Sequence, residues 1–218
     1  MKKLVIIAIT ALLSASSTQA FTWSGNLLIN PGAESATLTG WTTDALGIVV
    51  ASHSQQSASG TVRPYSGDRF FNMAGISTGL RDALLYQNID ISEYAAEIDA
   101  GILKVQAGAF MQTEDVPSIS GADYAQLTIY YFDSAGSTIT SLTTGLSQSP
   151  NLTWIEKSLE GIAPTGTRSI SFELFGERHE GTYINAFFDN TNLQIAVIPE
   201  PATLLLLGLG AIVLRRKS

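Results

Sequence analysis

The chain has 218 residues and no cysteine, and its 19 acidic and 12 basic residues give a formal net charge of −7. That length suffices for one β domain or two small ones with a real core. The missing cysteine excludes disulfides and thiol chemistry. Residues 21–198 hold 18 acidic and 7 basic residues, a net charge of −11. Without a basic stripe, the composition argues against nucleic-acid binding.

The first twenty residues, MKKLVIIAITALLSASSTQA, have two lysines, an apolar stretch and a small-residue end. This is the pattern of a secretory signal peptide with cleavage after Ala20. The alternative is a membrane helix, but the apolar stretch from Leu4 to Leu13 would extend only about 15 Å. A bilayer core is about 30 Å thick. We therefore predict that residues 1–20 are a signal peptide.

Residues 21–198 show strand patterns: alternation, β-branched and aromatic runs, and regularly spaced turn residues. Ser92–Asp99 is either a short helix with Ser92 as N-cap or a loop, residues 133–136 form a hairpin turn, and residues 51–60 read as an exposed loop. Many short strands without βα alternation predict one all-β antiparallel sandwich over 21–198. The candidate strands are Leu27–Ile29, Gly47–Ala51, Phe70–Ala74, Ala83–Ile89, Gly101–Gln112, Ala122–Phe132, Thr138–Thr140, Trp154–Leu159, Ser169–Phe175 and Phe187–Ile195.

The chain ends IPEPATLLLLGLGAIVLRRKS. As a helix, the uncharged run from Ala202 to Leu214 covers about 20 Å, which is short for a membrane span. The basic residues after it should stay on the cytoplasmic side. Pro199 and Pro201 interrupt any helix from upstream. The pattern predicts a separate segment, 199–218, with a hydrophobic helix that inserts transiently into the membrane.

Three unlike parts follow one another in this tail: Pro199-Glu200-Pro201, a Leu/Gly-rich run, and Arg215-Arg216 followed by lysine. In this order they resemble the PEP-CTERM sorting signal of Gram-negative, exopolysaccharide-producing bacteria. The resemblance implies recognition by an exosortase at the inner membrane, then release or attachment at the cell surface. The alternative is a plain C-terminal anchor.

Five stretches of the central segment resemble, in order, the landmarks of galactose-binding-like jelly rolls, including the carbohydrate-binding modules of families 4, 9 and 22. Two positions depart from that pattern, since Ala33 replaces the usual Phe and Thr191 the usual apolar residue. The resemblance implies a jelly-roll sandwich. The stretches are NLLINPGAE (26–34), GW (40–41), YSGDRFF (65–71), LYQNID (85–90) and AFFDNTNL (186–193).

The same resemblance implies a structural calcium ion where the first and last strands meet. Glu34 and Asp189 occupy the positions of the two carboxylate ligands, and the turn at Asp68 could add backbone carbonyls or its own carboxylate. Calcium takes six to eight oxygen ligands, so carboxylates plus carbonyls suit it. In the alternative interpretation, the carboxylates cap turns or face water.

Sugar sites in such folds lie on a concave sheet face or in the end loops, and use aromatic rings as platforms. The sequence predicts core positions for Trp41 and Trp154, and it assigns no aromatic stripe to an exposed groove. Glu177, Arg178 and His179 form a polar stretch that could contact a ligand, or could be a solvated hairpin loop. With only two histidines in separate loops, a zinc site is not expected.

These observations favour an exported binding module for polysaccharide, such as the cell's own exopolysaccharide. A structural or adhesion protein of the extracellular matrix, with proteins or its own copies as partners, is the alternative. A glycan hydrolase is a third reading, but the chain lacks a Gly-x-Ser-x-Gly elbow, a His-Glu-x-x-His helix and a phosphate-binding glycine loop. We therefore predict no enzymatic activity.

Overall fold

The computed structural model describes residues 21–44, 50–57, 60–73, 80–113, 123–149, 153–179 and 181–199. The predicted signal peptide, and the predicted C-terminal helix with Glu200, Pro201, Arg215 and Arg216, lie outside these residues. The central compact unit spans Trp23–Ala196. Within the described ranges, no helix is long and apolar enough to span a membrane.

The central unit is an antiparallel β-sandwich, which confirms the predicted all-β class. In the described part, sheet A has five strands in the order β1-β6-β11-β8-β9, and sheet B has five in the order β10-β7-β12-β5-β2. Strands β3 and β4 form a separate two-stranded ribbon. The bounds are β1 Thr42–Thr43, β2 Val50–Ser52, β3 Gln55–Ser57, β4 Gly60–Val62, β5 Phe70–Asn72, β6 Asp82–Asp90, β7 Leu103–Thr113, β8 Tyr124–Phe132, β9 Thr138–Thr143, β10 Ile155–Ile162, β11 Ser169–Glu177 and β12 Ala186–Val197.

Strict alternation places the core between the two sheets. Along β7 the odd-numbered residues from Leu103 to Met111 are buried, and along β8 those from Ala125 to Tyr131 are buried. Successive side chains of a strand point to opposite faces, so the even-numbered residues of both strands face outward. Trp41 closes the core, with its ring 4.9 Å from Phe71. Its predicted core position is confirmed.

The predicted first strand, Leu27–Ile29, does not form. Leu27 donates its N–H to the Leu193 carbonyl, but the next ladder position is taken by a side chain. Asn26 Oδ1 accepts the N–H of Leu193 at 3.0 Å, and Asn26 Nδ2 donates to the Thr191 carbonyl at 2.9 Å. The segment thus follows β12 without the regular backbone pairing that defines a strand.

The same segment reaches the other sheet through Gln87 on β6. Gln87 Oε1 accepts the Ile29 N–H at 3.0 Å, and Gln87 Nε2 donates to the Ile29 carbonyl at 2.8 Å. Gln87 is buried, so this paired contact satisfies both ends of its amide. The N-terminal segment is therefore hydrogen-bonded to β12 of sheet B and to β6 of sheet A.

The helical alternative for Ser92–Asp99 is confirmed, but its cap is not the predicted one. Ser92–Tyr94 is a 3₁₀ turn, and α1 spans Ala95–Asp99. The N-cap position of that turn is held by Ile91, which makes no side-chain capping bond. Instead Asp90 Oδ1 accepts the Ser92 N–H at 2.8 Å, since an Asp two residues upstream can cap a turn in the same way.

Two other loop predictions fare differently. Asp133 Oδ1 accepts the N–H groups of Ala135 and Ser137, and Gly136 has a φ of 78°, which confirms the hairpin turn. Residues 51–60, predicted as a loop, instead supply β3, part of β2 and the start of β4. The ribbon forms because backbone pairing of Gln55 with Val62 offsets the weak strand propensity of the polar residues.

Candidate functional site

The outer face of sheet A holds the candidate ligand site. A cavity of about 370 Å³ opens there, and we call it the outer groove. Cross-strand register explains its composition, since Glu173 on β11 lies opposite Tyr86 on one side and Thr128 on the other. Its lining residues are Asp44, Asp82, Leu84, Gln126, Thr128, Tyr130, Glu173 and Phe175.

Aromatic rings flank the polar centre of the outer groove. Phe175 lies opposite Gln126 in the register of β11 and β8, and Tyr130 lies opposite Ser171. Tyr130 and Phe132 share this face, as the alternation predicts, with ring centroids 6.4 Å apart. Both rings are partly exposed, and so can offer faces to the C–H side of a sugar.

Side-chain hydrogen bonds hold the polar groups of the outer groove in place. Gln126 Nε2 donates to Thr128 Oγ1 at 2.8 Å, and Thr128 Oγ1 donates to Thr143 on the edge strand β9 at 3.1 Å. Ser171 Oγ donates to Glu173 Oε1 at 3.0 Å. Donors and acceptors that are already oriented lose less entropy when a ligand binds.

Glu173 is the most buried carboxylate of the groove. Burial raises its pKa above the usual range, the Ser171 hydroxyl opposes that shift, and the nearby charge of Asp44 adds to it. Desolvation penalises the charged form because the surroundings solvate it less well than water does. The centre of the outer groove therefore carries a negative charge that is poorly compensated.

The predicted polar stretch lies at one end of this face. Arg81 Nη2 pairs with Glu177 Oε1 at 2.7 Å, and Arg178 donates to the Thr182 carbonyl. The ring centroids of His179 and Tyr124 lie 5.8 Å apart, and the backbone N–H of His179 donates to the Asp123 carboxylate. The structure therefore brings Glu177 and His179 to the end of the outer face, while Arg178 holds the following loop.

Sequence reasoning missed the groove itself. The signal was present in β8, where alternate residues read Tyr, Gln, Thr, Tyr and Phe from Tyr124 to Phe132. Alternation places all five on one face, but it does not say which face is outward. That choice follows from the burial of Leu127, Ile129 and Tyr131 on the opposite face.

A second cluster brings together two carboxylates that are far apart in the chain. It consists of Glu34, Asp189 and the loop Ser66–Arg69, and we call it the carboxylate clasp. Asp189 Oδ2 accepts the Ser66 N–H at 3.0 Å. Glu34 Oε1 accepts the N–H groups of Asp68 at 3.1 Å and Arg69 at 3.0 Å. Two distant carboxylates thus hold one loop through its backbone amides.

Asp189 is fully buried, and burial raises its pKa to about 6. Hydrogen bonds from the N–H groups of Ser66, Asn190 and Tyr65 oppose this shift, and the charge of Glu34 adds to it. In the part of the chain that the structure describes, neither carboxylate belongs to an ion pair. The clasp therefore contains two neighbouring acids whose charge only backbone amides offset.

The predicted third ligand takes a different role in the clasp. Asp68 contributes its backbone N–H to Glu34, and its carbonyl lies 2.8 Å from His53 Nδ1, while the residue is exposed. Among the described residues, no group of three or more His, Cys, Asp or Glu side chains is placed to hold a metal ion. A cation at the clasp would therefore need backbone carbonyls and water as further ligands.

A third aromatic group lies on the outer face of sheet B. Tyr65 stacks on Phe110 with ring centroids 3.6 Å apart, and Trp154 packs edge-on against Phe70 at 6.0 Å. The predicted core position of Trp154 is confirmed only in part, because Trp154 is partly buried and packs against this second, smaller cluster, where its indole N–H donates to the Arg63 carbonyl. Tyr65 is exposed.

Comparison with known proteins identifies a sorting motif at the C-terminal end and supports the fold. Residues 197–217 are a PEP-CTERM protein-sorting motif. This motif covers most of the predicted terminal segment 199–218. None of the curated proteins matches the sequence.

Solved structures support the sandwich at low sequence identity. The carbohydrate-binding module TmCBM61, solved with β-1,4-galactotriose, is 16% identical with a TM-score of 0.51, over 78% of this chain and 98% of its own. The active domain of tailspike protein 4 of bacteriophage CBA120 is 12% identical with a TM-score of 0.53. A cyclase from Fischerella sp. TAU is 11% identical with a TM-score of 0.52, over 82% and 100%.

The tailspike match covers 77% of this chain but about a fifth, 21%, of the tailspike chain. The three proteins named here include a binding module, an enzymatically active domain and a cyclase. Their likeness therefore establishes the jelly-roll fold, and leaves the function to be argued from the site.

The clasp predicts an unequal response to two glycine substitutions. Gly67 and Gly136 have φ values of 64° and 78°, so an alanine strains the backbone at either position by about 1 kcal/mol. A Cβ at Gly136 meets nothing within 4 Å, whereas at Gly67 it would lie 2.7 Å from Glu34 Cδ. We expect Gly67→Ala to lower the free energy of unfolding by about 2 kcal/mol or more, because it also displaces the Glu34 carboxylate from its amide donors.

Urea unfolding of both variants measures this difference directly. Gly136→Ala is the control for backbone strain alone. Equal losses in the two variants would mean that the Glu34 contacts contribute nothing to stability.

The raised pKa of Asp189 predicts a pH dependence in chelated buffer. The folded state holds the proton more tightly than the unfolded state, so the stabilisation from this group is complete below about pH 4. This stabilisation is lost as the pH rises through about 6, and the loss lowers the free energy of unfolding by about 3 kcal/mol or less. We expect the difference in unfolding free energy between wild type and Asp189→Asn to change across this window.

The measurement is urea unfolding of both proteins at several pH values from 4 to 7 in chelator. Because carboxylates far from the clasp contribute equally to both curves, the difference isolates the clasp, in which Asp189 is the changed residue. Two parallel stability curves would contradict the burial of its charge.

Proposed function

We propose that the protein is an exported polysaccharide-binding module whose ligand lies in the outer groove of sheet A. The observation that carries this proposal is the coincidence, on one outward sheet face, of partly exposed aromatic rings with oriented polar side chains around a cavity. Tyr130 and Phe175 would pack on sugar rings, and the partly exposed Gln126 would exchange hydrogen bonds with hydroxyl groups, while the buried Thr128 hydroxyl orients the Gln126 amide.

Two comparisons support the proposal at different levels. TmCBM61, which resembles this chain in fold, was solved with a galactotriose, so the sandwich is compatible with sugar binding. The PEP-CTERM motif supports an exported, cell-surface location. Under this proposal, a signal peptide at residues 1–20 directs export from a Gram-negative cell, and the tail anchors the chain transiently until an exosortase processes it.

The end of the groove would determine the orientation of the chain of sugars. Glu177 is held by Arg81, and Asp123 holds the backbone N–H of His179, whose ring lies against Tyr124, so both residues are positioned before a ligand arrives. We assign Glu177 and His179 to this end subsite, and give Arg178 the role of fixing the loop that carries them.

Removing one aromatic platform tests the groove. We expect Tyr130→Ala and Phe175→Ala to weaken binding of a polysaccharide about fivefold each, since each loses a stacking surface worth about 1 kcal/mol. Tyr65→Ala removes an exposed ring from the other sheet and should leave affinity unchanged.

Affinity electrophoresis against a panel of polysaccharides, including the exopolysaccharide of the host cell, provides the measurement. If wild type and the Tyr130 variant migrate alike in every gel, the groove is not the sugar site. Retardation of none of these proteins by any polysaccharide would instead favour a structural role in the matrix.

We further propose that the clasp binds a structural calcium ion. The donor set fits a hard cation, because two carboxylates lie side by side and the buried one has a raised pKa. Glu34 and Asp189 would supply carboxylate oxygens to the ion, whose charge would stabilise their ionised forms. Such an ion would link the N-terminal segment to β12 in a domain without disulfides.

Calcium is therefore expected to raise the thermal unfolding midpoint relative to EDTA, because an ion bound only by the folded state stabilises it. Magnesium at the same concentration should do less, since it demands stricter geometry and dehydrates reluctantly. Glu34→Gln and Asp189→Asn should abolish the calcium response, while Glu156→Gln, at an exposed acid on β10, should retain it. Calorimetry of the four proteins measures the shifts, and an unchanged wild-type midpoint would refute the ion.

A further inference from the structure

The outer groove is acidic, and almost no basic side chain compensates it. Its lining includes Asp44, Asp82 and Glu173. In the described part of the chain these three carboxylates belong to no ion pair, although the charge of Arg81, which is paired with Glu177, also reaches Asp82.

The remaining basic residues are placed elsewhere. Residues 21–198 contain seven, and none falls in the internal stretches that the structure leaves undescribed. Lys104 and Arg168 form ion pairs with Glu160 and Asp99, away from the groove. Arg69 and Arg178 donate to backbone carbonyls. The other two, Arg63 and Lys157, precede β5 and lie on β10, on the side of sheet B.

This charge pattern discriminates among sugars. A neutral sugar laid over the groove would replace water at Glu173 and Asp44 with hydroxyl donors, but it would supply no countercharge, so part of the desolvation cost would remain. A uronate or sulfate would add repulsion to that cost. An ammonium group offsets both the lost hydration and the mutual repulsion of the two carboxylates.

We propose that the outer groove selects a polysaccharide with free amino groups, whose ammonium groups pair with Glu173 and Asp44 while its rings pack on Tyr130 and Phe175. The inference rests on the proposed sugar-binding function and names its ligand class. The cavity and the aromatic rings position the sugar, and the carboxylates determine which sugars bind most tightly. The net charge of −11 on residues 21–198 would also attract such a polycation from solution.

Two oligosaccharides with the same backbone test this selection. Glucosamine oligomers and their N-acetylated counterparts differ only in whether the nitrogen carries a charge. At about pH 6, where amines are still largely protonated and most carboxyls are ionised, we expect the amine form to bind at least tenfold more tightly. Isothermal titration calorimetry with the whole protein measures both ligands, and a uronate oligomer serves as the anionic comparison.

Charge-removing variants locate the selectivity. Glu173→Gln and Asp44→Asn preserve side-chain shape, and each should weaken the amine form about tenfold, while any binding of the acetylated form should stay the same or become tighter. Glu156→Gln removes the same charge from an exposed position on sheet B, and should leave both affinities unchanged. Poly-lysine of matched charge, which has no sugar rings, should bind more weakly than the amine oligomer.

The possible outcomes distinguish a failure of the amine selection from a failure of the proposed polysaccharide binding. Equal affinity for the amine and acetylated oligomers, or tighter binding of the uronate, would overturn the amine selection and leave sugar binding standing. Equal binding of poly-lysine, or an equal effect of Glu156→Gln, would reduce the interaction to general charge attraction and overturn it as well. Binding of none of the oligosaccharides would overturn the proposed function itself.

Discussion

The register of β6, β11 and β8 is the constraint on which the candidate site depends. Hydrogen bonding fixes Glu173 between Tyr86 and Thr128, and the same pairing fixes Leu174 between Leu85 and Leu127 on the inner face. A slip of one residue would exchange the two faces, and would place polar groups in the core. The apolar core thus also selects the residues of the outer groove. Because the groove lies on three central strands, rather than on loops, its side chains are held rigidly.

The carboxylate clasp, which includes Asp189 on β12 of sheet B, stabilises the fold on the side of the opposite sheet. Residues about 30 and 190 in the chain meet there because the N-terminal segment runs along β12, through the contacts of Asn26 and Ser24. Asn190 and Ala33 adopt φ values of 46° and 61°, a region that non-glycine residues rarely occupy. Strained turns at both ends of the clasp persist only if their surroundings hold them, so stability of the clasp and of these turns is coupled.

Sequence pattern was sufficient for the fold class, because alternation and turn spacing depend on local chemistry alone. It placed the bounds of β6 and β8 within two residues, and it set Tyr130 and Phe132 on one face of β8 with Tyr131 on the other. It failed at Leu27–Ile29, where the side chain of Asn26 replaces a ladder bond, and at residues 51–60, where pairing partners lie only a few positions away. The groove was not predictable for a related reason. Its residues come from four separate stretches of chain, and only the strand order makes them neighbours.

Fold and charge answer different parts of the functional question. The sandwich is shared with a binding module and with an enzymatically active domain, so its shape cannot choose a ligand. The distribution of seven basic residues can, because none of them lines the acidic groove. Solubility alone would require net charge, not the segregation of cations from a single concave face. Among the described residues, Glu173 thus lies half-buried beside Asp44 with no ion-pair partner, and a cationic ligand would supply a countercharge.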